Sequence, residues 1–322
     1  MNRREKLLSG LQLDGLLGLE IGALASPVLR RADGEVIYVD HVDTATLRKK
    51  YGGNPDIDVD GIVEVDAVWG RQTMQEALGP GRSVDFVLAS HVVEHVPDLV
   101  GWLKELASVL RPGGTIRLAA PDKRFCFDYL RAETQITDVL VAHFHEARAP
   151  QVRQIIDNEI HHRMVDTGEA WAGRVIPTIR IEPSRLQHAF GLARWAGSGE
   201  YIDVHCWSFT PLAFATIMEQ LASLGLTNLA CERWFDTEVN ELEFFLVMKV
   251  AEPAAVMDSW AAMRRDLLGK QDSMRPLEPA ADAADLESAL KAARDEVAAL
   301  RNSTSWKMTM PLRQVVERFR RP

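Results

Sequence analysis

The feature that most constrains this chain is a set of short apolar runs that each stop at a glycine or a polar residue. LLGLEI (16–21) stops at Gly22, VIYV (36–39) at Asp40, GIVEV (61–65) at Asp66 and VDFVLA (84–89) at Ser90. Short runs rich in Val, Ile and Leu suit strands buried on both faces. After the fourth run, DLVGWLKELASVL (98–110) sets Leu99, Leu103, Leu106 and Leu110 on one helical face. It begins beside Pro97, stops at RPGG (111–114) and leads into another strand, TIRLAA (115–120). Strands alternating with helices imply right-handed crossovers and a mostly parallel sheet covered on both faces. The expected fold is α/β, Rossmann-like and doubly wound.

Residues 124–206 break this rhythm with His, Arg and Trp among Gly and Pro interruptions. A segment of that length is too long for a plain loop and reads as a cap or substrate insertion after the fifth strand. The pattern resumes with a helix over 211–225, Thr210 as its N-cap and Pro211 at its first position. LACERWF (229–235) and ELEFFLVMKV (241–250) follow as an antiparallel pair, completing a seven-stranded sheet whose last strand is antiparallel. The catalytic domain is thus expected over 1–250. An Ala/Pro-rich linker is expected over 251–282. Leu286, Leu290, Ala293, Val297 and Leu300 then give a short coiled-coil-like helix over 283–301. Residues 302–322 read as a basic amphipathic tail.

Charge and cysteine usage remove several function classes. A net charge of −9 argues against a nucleic-acid binder, which needs a basic surface. Cys126, Cys206 and Cys231 are scattered and odd in number, so neither a disulfide framework nor a CxxC metal site is encoded. No apolar run is long enough to span a membrane, and Gln12 and Asp14 interrupt the stretch a signal peptide would need. A cytoplasmic location is expected. The last 22 residues carry six basic groups against Glu317 alone, although the whole chain is acidic. That tail is a candidate for peripheral contact with the inner face of the membrane, or for docking on a partner protein.

In an open parallel sheet, ligands bind beyond the carboxyl ends of the strands. Here those ends carry Glu20-Ile21-Gly22, Asp40, Asp66 and Ser90-His91. Gly22 permits a sharp turn and close ligand approach, and Asp40 is placed to accept ribose hydroxyls. A nicotinamide dinucleotide would want three glycines around its pyrophosphate, whereas GALASP supplies one. S-adenosylmethionine has no phosphate and does not need them.

LEIGALASP, VIYVDHVD, VEVDAVWG, the run from FVLASHVVEHVPD to LRPGGTIRLAAPDKR and the final strand pair together resemble a class I S-adenosylmethionine-dependent methyltransferase with a type 11-like domain. The resemblance covers about residues 15–125 and 205–250. It implies S-adenosylmethionine as cofactor, with Glu20, Gly22 and Ala23 in the first loop and Gly22 and Ala23 near its methionine moiety. It further implies Asp40 on the ribose, Asp66 and Ala67 on the adenine, and Ser90 and His91 near the transferable methyl. Leu24 and Ser26 stand where the family usually has its second and third glycines. The tail segment STSWKMTMPLR is similar to one that recurs beside domains of bacterial polysaccharide-assembly proteins. A sugar of a surface glycan or its precursor is therefore the expected acceptor. Another small-molecule acceptor, or a non-catalytic partner-binding module, are the alternatives.

Methyl transfer to an alcohol needs a base, and histidine suits that role. His91 and His205 are the candidates, with Asp122 to orient the base or bind the acceptor. Trp171, Trp195, Tyr201 and Trp207 are candidates to stack on sugar rings or to pack the insertion. His91-Val92-Val93-Glu94-His95 also matches the H-x-x-E-H zinc pattern. That pattern requires a helix, but this segment follows a strand and lies just before Pro97. No metal is expected.

Overall fold

The structure, a computed structural model, describes residues 1–175, 181–273 and 291. The chain divides into two units, Met1–Leu268 and Gly269–Pro322, and the sheet and insertion belong to the first. The strands are β1 (Leu17–Ile21), β2 (Glu35–Asp40), β3 (Ala67–Val68), β4 (Val84–Ser90), β5 (Leu110–Pro121), β6 (Leu229–Phe235) and β7 (Glu243–Val250). They form one sheet in the order β3-β2-β1-β4-β5-β7-β6. β1 to β5 pair in parallel, while β7 runs antiparallel to both β5 and β6. This is the expected Rossmann-like sheet. Its strand order reverses between β1 and β4, which marks the switch point where ligands bind.

Around the sheet lie α1 (Arg3–Leu7), α2 (Thr44–Tyr51), α3 (Met74–Leu78), α4 (Leu99–Ser108) and α5 (Ile136–Phe144). The remaining helices are α6 (Val152–His161), α7 (Thr167–Trp171), α8 (Pro183–Ala196), α9 (Pro211–Ser223) and α10 (Pro253–Ser273). Alternate residues of each strand divide the core. Leu19, Ile37, Val87, Leu118 and Leu246 join α3, α4, α5, α9 and α10 in the larger cluster. Tyr38, Phe86, Leu88, Ala119 and Phe245 point the other way, against Leu7 of α1 and Val28 and Leu29. Gly18 makes room on that second face: a Cβ there would lie 2.6 Å from Phe86 Cζ. No helix of the described residues is long and apolar enough to cross a membrane.

Several expectations need correction. The crossover from β1 to β2 holds no helix. Glu20, buried on β1, fixes that loop instead by accepting the backbone N–H groups of Val28 and Leu29, both at 2.8 Å. The third strand is only Ala67–Val68 and begins after Asp66; GIVEV is loop. The fifth strand starts at Leu110 and includes RPGG, which therefore does not separate helix from strand. The first helix of the 124–206 segment, α5, buries Val139 and Ala142 in the main core, so it belongs to the domain body rather than to a cap. Of the later helices, α6 and α8 share a small core of their own around Ile155, Ile202 and Val204.

The expected linker is also corrected. Residues 253–273 are helical, and Val256, Trp260, Met263 and Leu267 are buried in the main core. Their four-three-four spacing is the amphipathic signal itself, masked in the sequence by the flanking alanines and prolines. The expected coil over 283–301 and the tail over 302–322 lie outside the described residues, apart from Lys291.

Candidate active site at the strand ends

The carboxyl ends of β1, β2 and β4 meet as predicted, but the named side chains divide into those left open and those already engaged. Gly22 has φ +67°, and a Cβ there would press on Val92 Cγ2 at 3.0 Å. Glycine is therefore required at this turn on two grounds. Leu24 follows at φ +43°, so a leucine holds the left-handed conformation that the family's second glycine would take. Asp40 accepts the backbone N–H of His41 (2.7 Å) and faces the His41 ring (2.5 Å) through Oδ1. Its Oδ2 takes no hydrogen bond from any described residue, leaving an acceptor for a ribose hydroxyl. Gly22 and Asp40 together fit the cofactor.

Glu20, Ala23 and Asp66 do other work. Burial drives the Glu20 carboxyl up to about 7 despite its two backbone donors, and those donors commit it to the loop rather than to a ligand. Ala23 packs inward in the second cluster. Both oxygens of Asp66 face Arg31 at 2.8 Å, and Oδ2 also accepts the Tyr38 N–H. Asp66 thus anchors β2 through both of its oxygens. Ala67, half-buried in β3, pairs with Val39.

Ser90 and His91 stand at the end of β4, and His91 has a positive φ of 53°. Backbone strain of this kind collects at functional sites. His91 Nε2 lies 2.8 Å from Glu243 Oε2, and Nδ1 lies 3.5 Å from Glu94 Oε1. Arg3 of α1 donates to Ser90 Oγ and to Glu243. Burial opposes a charge on His91, but its bond to Glu243 and the nearby Glu94 carboxylate outweigh that and raise it to about 9. The expected role of His91 as base meets a different geometry: Glu243 engages its Nε2 and Glu94 stands 3.5 Å from its Nδ1, so both ring nitrogens face carboxylates and favour the charged ring.

Asp122 is fully buried and binds the Arg124 guanidinium through both oxygens, while Thr237 Oγ1 donates to Oδ2 at 2.8 Å. It ties the turn after β5 to residue 237 and does not orient His91; Glu243 does. His205 is buried, with Nδ1 2.6 Å from Asp128 Oδ2 and Nε2 3.9 Å from Glu94 Oε1. Among the aromatic candidates, Trp207 is buried and donates to the Val96 carbonyl, and Trp171 stacks on Phe125 at 3.9 Å. Trp195 and Tyr201 remain about half exposed.

Reasoning from sequence missed Glu243, Arg3, Asp128 and Asp203. A carboxylate opening a strand and two aspartates inside an irregular insertion carry no local signature. Glu94 and His95 did carry one, the H-x-x-E-H spacing.

The sequence profile of a methyltransferase-domain family matches residues 30–228, more than half of the chain. The chain belongs to that family. The methyltransferase match begins after the glycine loop, so the unusual GALASP lies outside it. S-adenosylmethionine is the cofactor. No curated protein matches the chain. Among solved structures, a protein from Rhodobacter sphaeroides described as a putative Zn-dependent alcohol dehydrogenase is 11% identical, covering 77% of this chain and 89% of its own at a TM-score of 0.41. The CcbJ methyltransferase of Streptomyces caelestis is 13% identical, with 78% and 89% covered and a TM-score of 0.40. An S-adenosylmethionine-dependent methyltransferase from Clostridium acetobutylicum is 9% identical, with 77% and 96% covered and a TM-score of 0.36. Likenesses at these scores carry no argument about activity or substrate.

Proposed function

We propose that this methyltransferase transfers its methyl group to a hydroxyl oxygen of a sugar, in a surface glycan or its precursor. The observation that carries this reading is the pair of half-exposed rings on the insertion, Trp195 and Tyr201. Tyr201 lies two residues before Asp203, whose carboxylate is 2.9 Å from His95 in the turn after β4. An aromatic face beside a carboxylate suits a pyranose, whose C–H face stacks while its hydroxyls donate. The tail's likeness to segments of polysaccharide-assembly proteins supports the same acceptor class, with a glycan-assembly protein or the inner membrane surface as its docking partner.

The bound cofactor supplies an electrophilic methyl on sulfur. Bound at the strand ends, it would present that methyl to an acceptor hydroxyl held in line with the carbon–sulfur bond, with S-adenosylhomocysteine as the leaving group and the hydroxyl proton passing to solvent. Gly22 gives close backbone approach, Asp40 holds a ribose hydroxyl, and Glu243 and Arg3 fix His91 at the strand end.

The test is a titration with S-adenosylmethionine followed by transfer of labelled methyl. Nucleotide sugars and oligosaccharides are compared with phenols and amines as acceptors. Binding and label on a sugar oxygen are expected, and Asp40→Ala should weaken cofactor binding by about 1.5–3 kcal/mol through lost charged hydrogen bonds. Label on phenols or amines alone would overturn the sugar reading. Absence of any cofactor binding would favour the partner-binding module.

A further inference from the structure

Among the described residues Glu94 stands apart. Its carboxylate is buried at about 1% side-chain exposure, and neither oxygen has a hydrogen-bond partner. His91 Nδ1 stands 3.5 Å from Oε1, near enough to offset its charge but not to fill its acceptor positions, and leaving those empty at this depth is costly. Two further ligand-type side chains approach it: one donor atom each of Glu94, His95 and His205 lie within 4.8 Å of one another.

The histidines are held in a recognisable way. His95 Nδ1 is 2.9 Å from Asp203 Oδ1, and His205 Nδ1 is 2.6 Å from Asp128 Oδ2. Each carboxylate fixes its ring and leaves Nε2 as the unshared nitrogen. Metal-binding histidines are oriented by this same carboxylate–imidazole pairing, which raises the basicity of the ligating nitrogen. The rings meet edge to face with centroids 4.6 Å apart. His95 is about a third exposed, which provides an entry path, while Glu94 and His205 form a buried floor.

We propose that Glu94, His95 and His205 bind one divalent transition cation of the zinc class. Two imidazoles and one carboxylate suit such a borderline ion better than magnesium or calcium, which prefer all-oxygen sites. Ligand bonds of about 2.0–2.2 Å set tetrahedral donors roughly 3.3–3.6 Å apart, so the three donor atoms must draw together on binding. Three protein ligands leave a coordination position open, the pattern of reactive rather than purely structural sites. The sequence spacing pointed to His91, Glu94 and His95. The fold instead engages His91 with Glu243 and replaces it by His205, 111 residues beyond Glu94, so the site differs from the helical zinc motif set aside above. Its use in catalysis rests on the methyltransferase reading: a cation here would lower the pKa of an acceptor hydroxyl bound to it and so relieve the need for a base. Cation binding itself does not depend on that reading.

The experiment uses the full chain without a histidine tag, stripped with chelator, and titrates Zn²⁺ by calorimetry and Co²⁺ by visible absorption. One equivalent per chain is expected, with cobalt ligand-field bands. Glu94→Gln should weaken binding at least 100-fold, and Asp203→Asn, which meets the His95 ring and Lys50 but neither Glu94 nor His205, by about 10–100-fold. Circular dichroism confirms the fold of each, and Asp203→Asn decides the matter if Glu94→Gln does not fold. Failure of the wild-type chain to bind one equivalent, or binding unaltered in the folded variants, would overturn the site. S-adenosylmethionine is titrated into the same metal-free sample. Loss of that signal with cation binding intact would count against the methyltransferase reading alone.

Discussion

Leu24 holds a backbone conformation that glycine adopts freely and leucine does not. Two variants isolate the cost. Leu24→Ala and Leu24→Gly both remove the side chain, but only glycine relaxes at φ +43°. The glycine variant should be more stable than the alanine variant by about 1 kcal/mol in denaturant unfolding, and equal stability would show that no strain is stored there. Glu20 poses a question of charge. Its carboxyl rises from 4.5 to about 7 on folding, so between those values the folded chain holds a proton that the unfolded chain has released. Its contribution to stability is fully present below about pH 4.5, falls as pH rises to about 7, and is level above that. The size is on the order of 3 kcal/mol. Unfolding of wild type and Glu20→Gln in parallel from pH 4.5 to 8 should show their difference shifting across that window; a constant difference would mean that Glu20 does not titrate there.

At the scale of elements, α10 is the part that sequence reasoning undervalued. Trp260 is fully buried, packs near Phe214 and donates its indole N–H to the Leu229 carbonyl at 2.7 Å. Trp260→Ala should cost about 3–5 kcal/mol. A chain ending at Val250 should be far less stable than one ending at Ser273; matched melting temperatures would show that α10 is dispensable. The reason this helix was hidden is physical. Ala and Pro around 251–255 resemble a linker, and only four apolar positions spread over three turns reveal a buried face. The strands were legible because runs such as VDFVLA combine β-branched residues with abrupt polar stops. β3 was not, since two residues cannot set a period. The same contrast holds in the site. Gly22 and Asp40 are readable because a strand end restricts what can follow it, and β4 likewise announced His91. The partners that decide what His91 and His205 do, Glu243 and Asp128, are 152 and 77 residues away in sequence. No local pattern records such a pairing.

At the scale of the whole molecule, the fold lowers the reactivity of all three thiols. Cys126 and Cys206 are buried and Cys231 is half-buried; burial pushes Cys126 and Cys231 up to about 12 and also raises Cys206. Thiolate is the reactive form, so the folded chain should label slowly with a disulfide reagent at pH 8. All three should react promptly in denaturant, and rapid labelling of the native chain would contradict the packing. A last consequence concerns the order in which the protein is made. Arg3 pairs with Glu243 and Lys6 with Glu238, each at 2.8 Å, and Leu7 packs in the cluster that contains Phe245. The first turn of the chain thus depends on residues synthesised some 240 positions later. At about 5–20 residues per second, it waits roughly 10–50 s on the ribosome before its partners emerge. During that wait the sheet face beneath Leu7 is open to water, and to anything else apolar. Residues of α1, made long before their partners, are among the last to find their places.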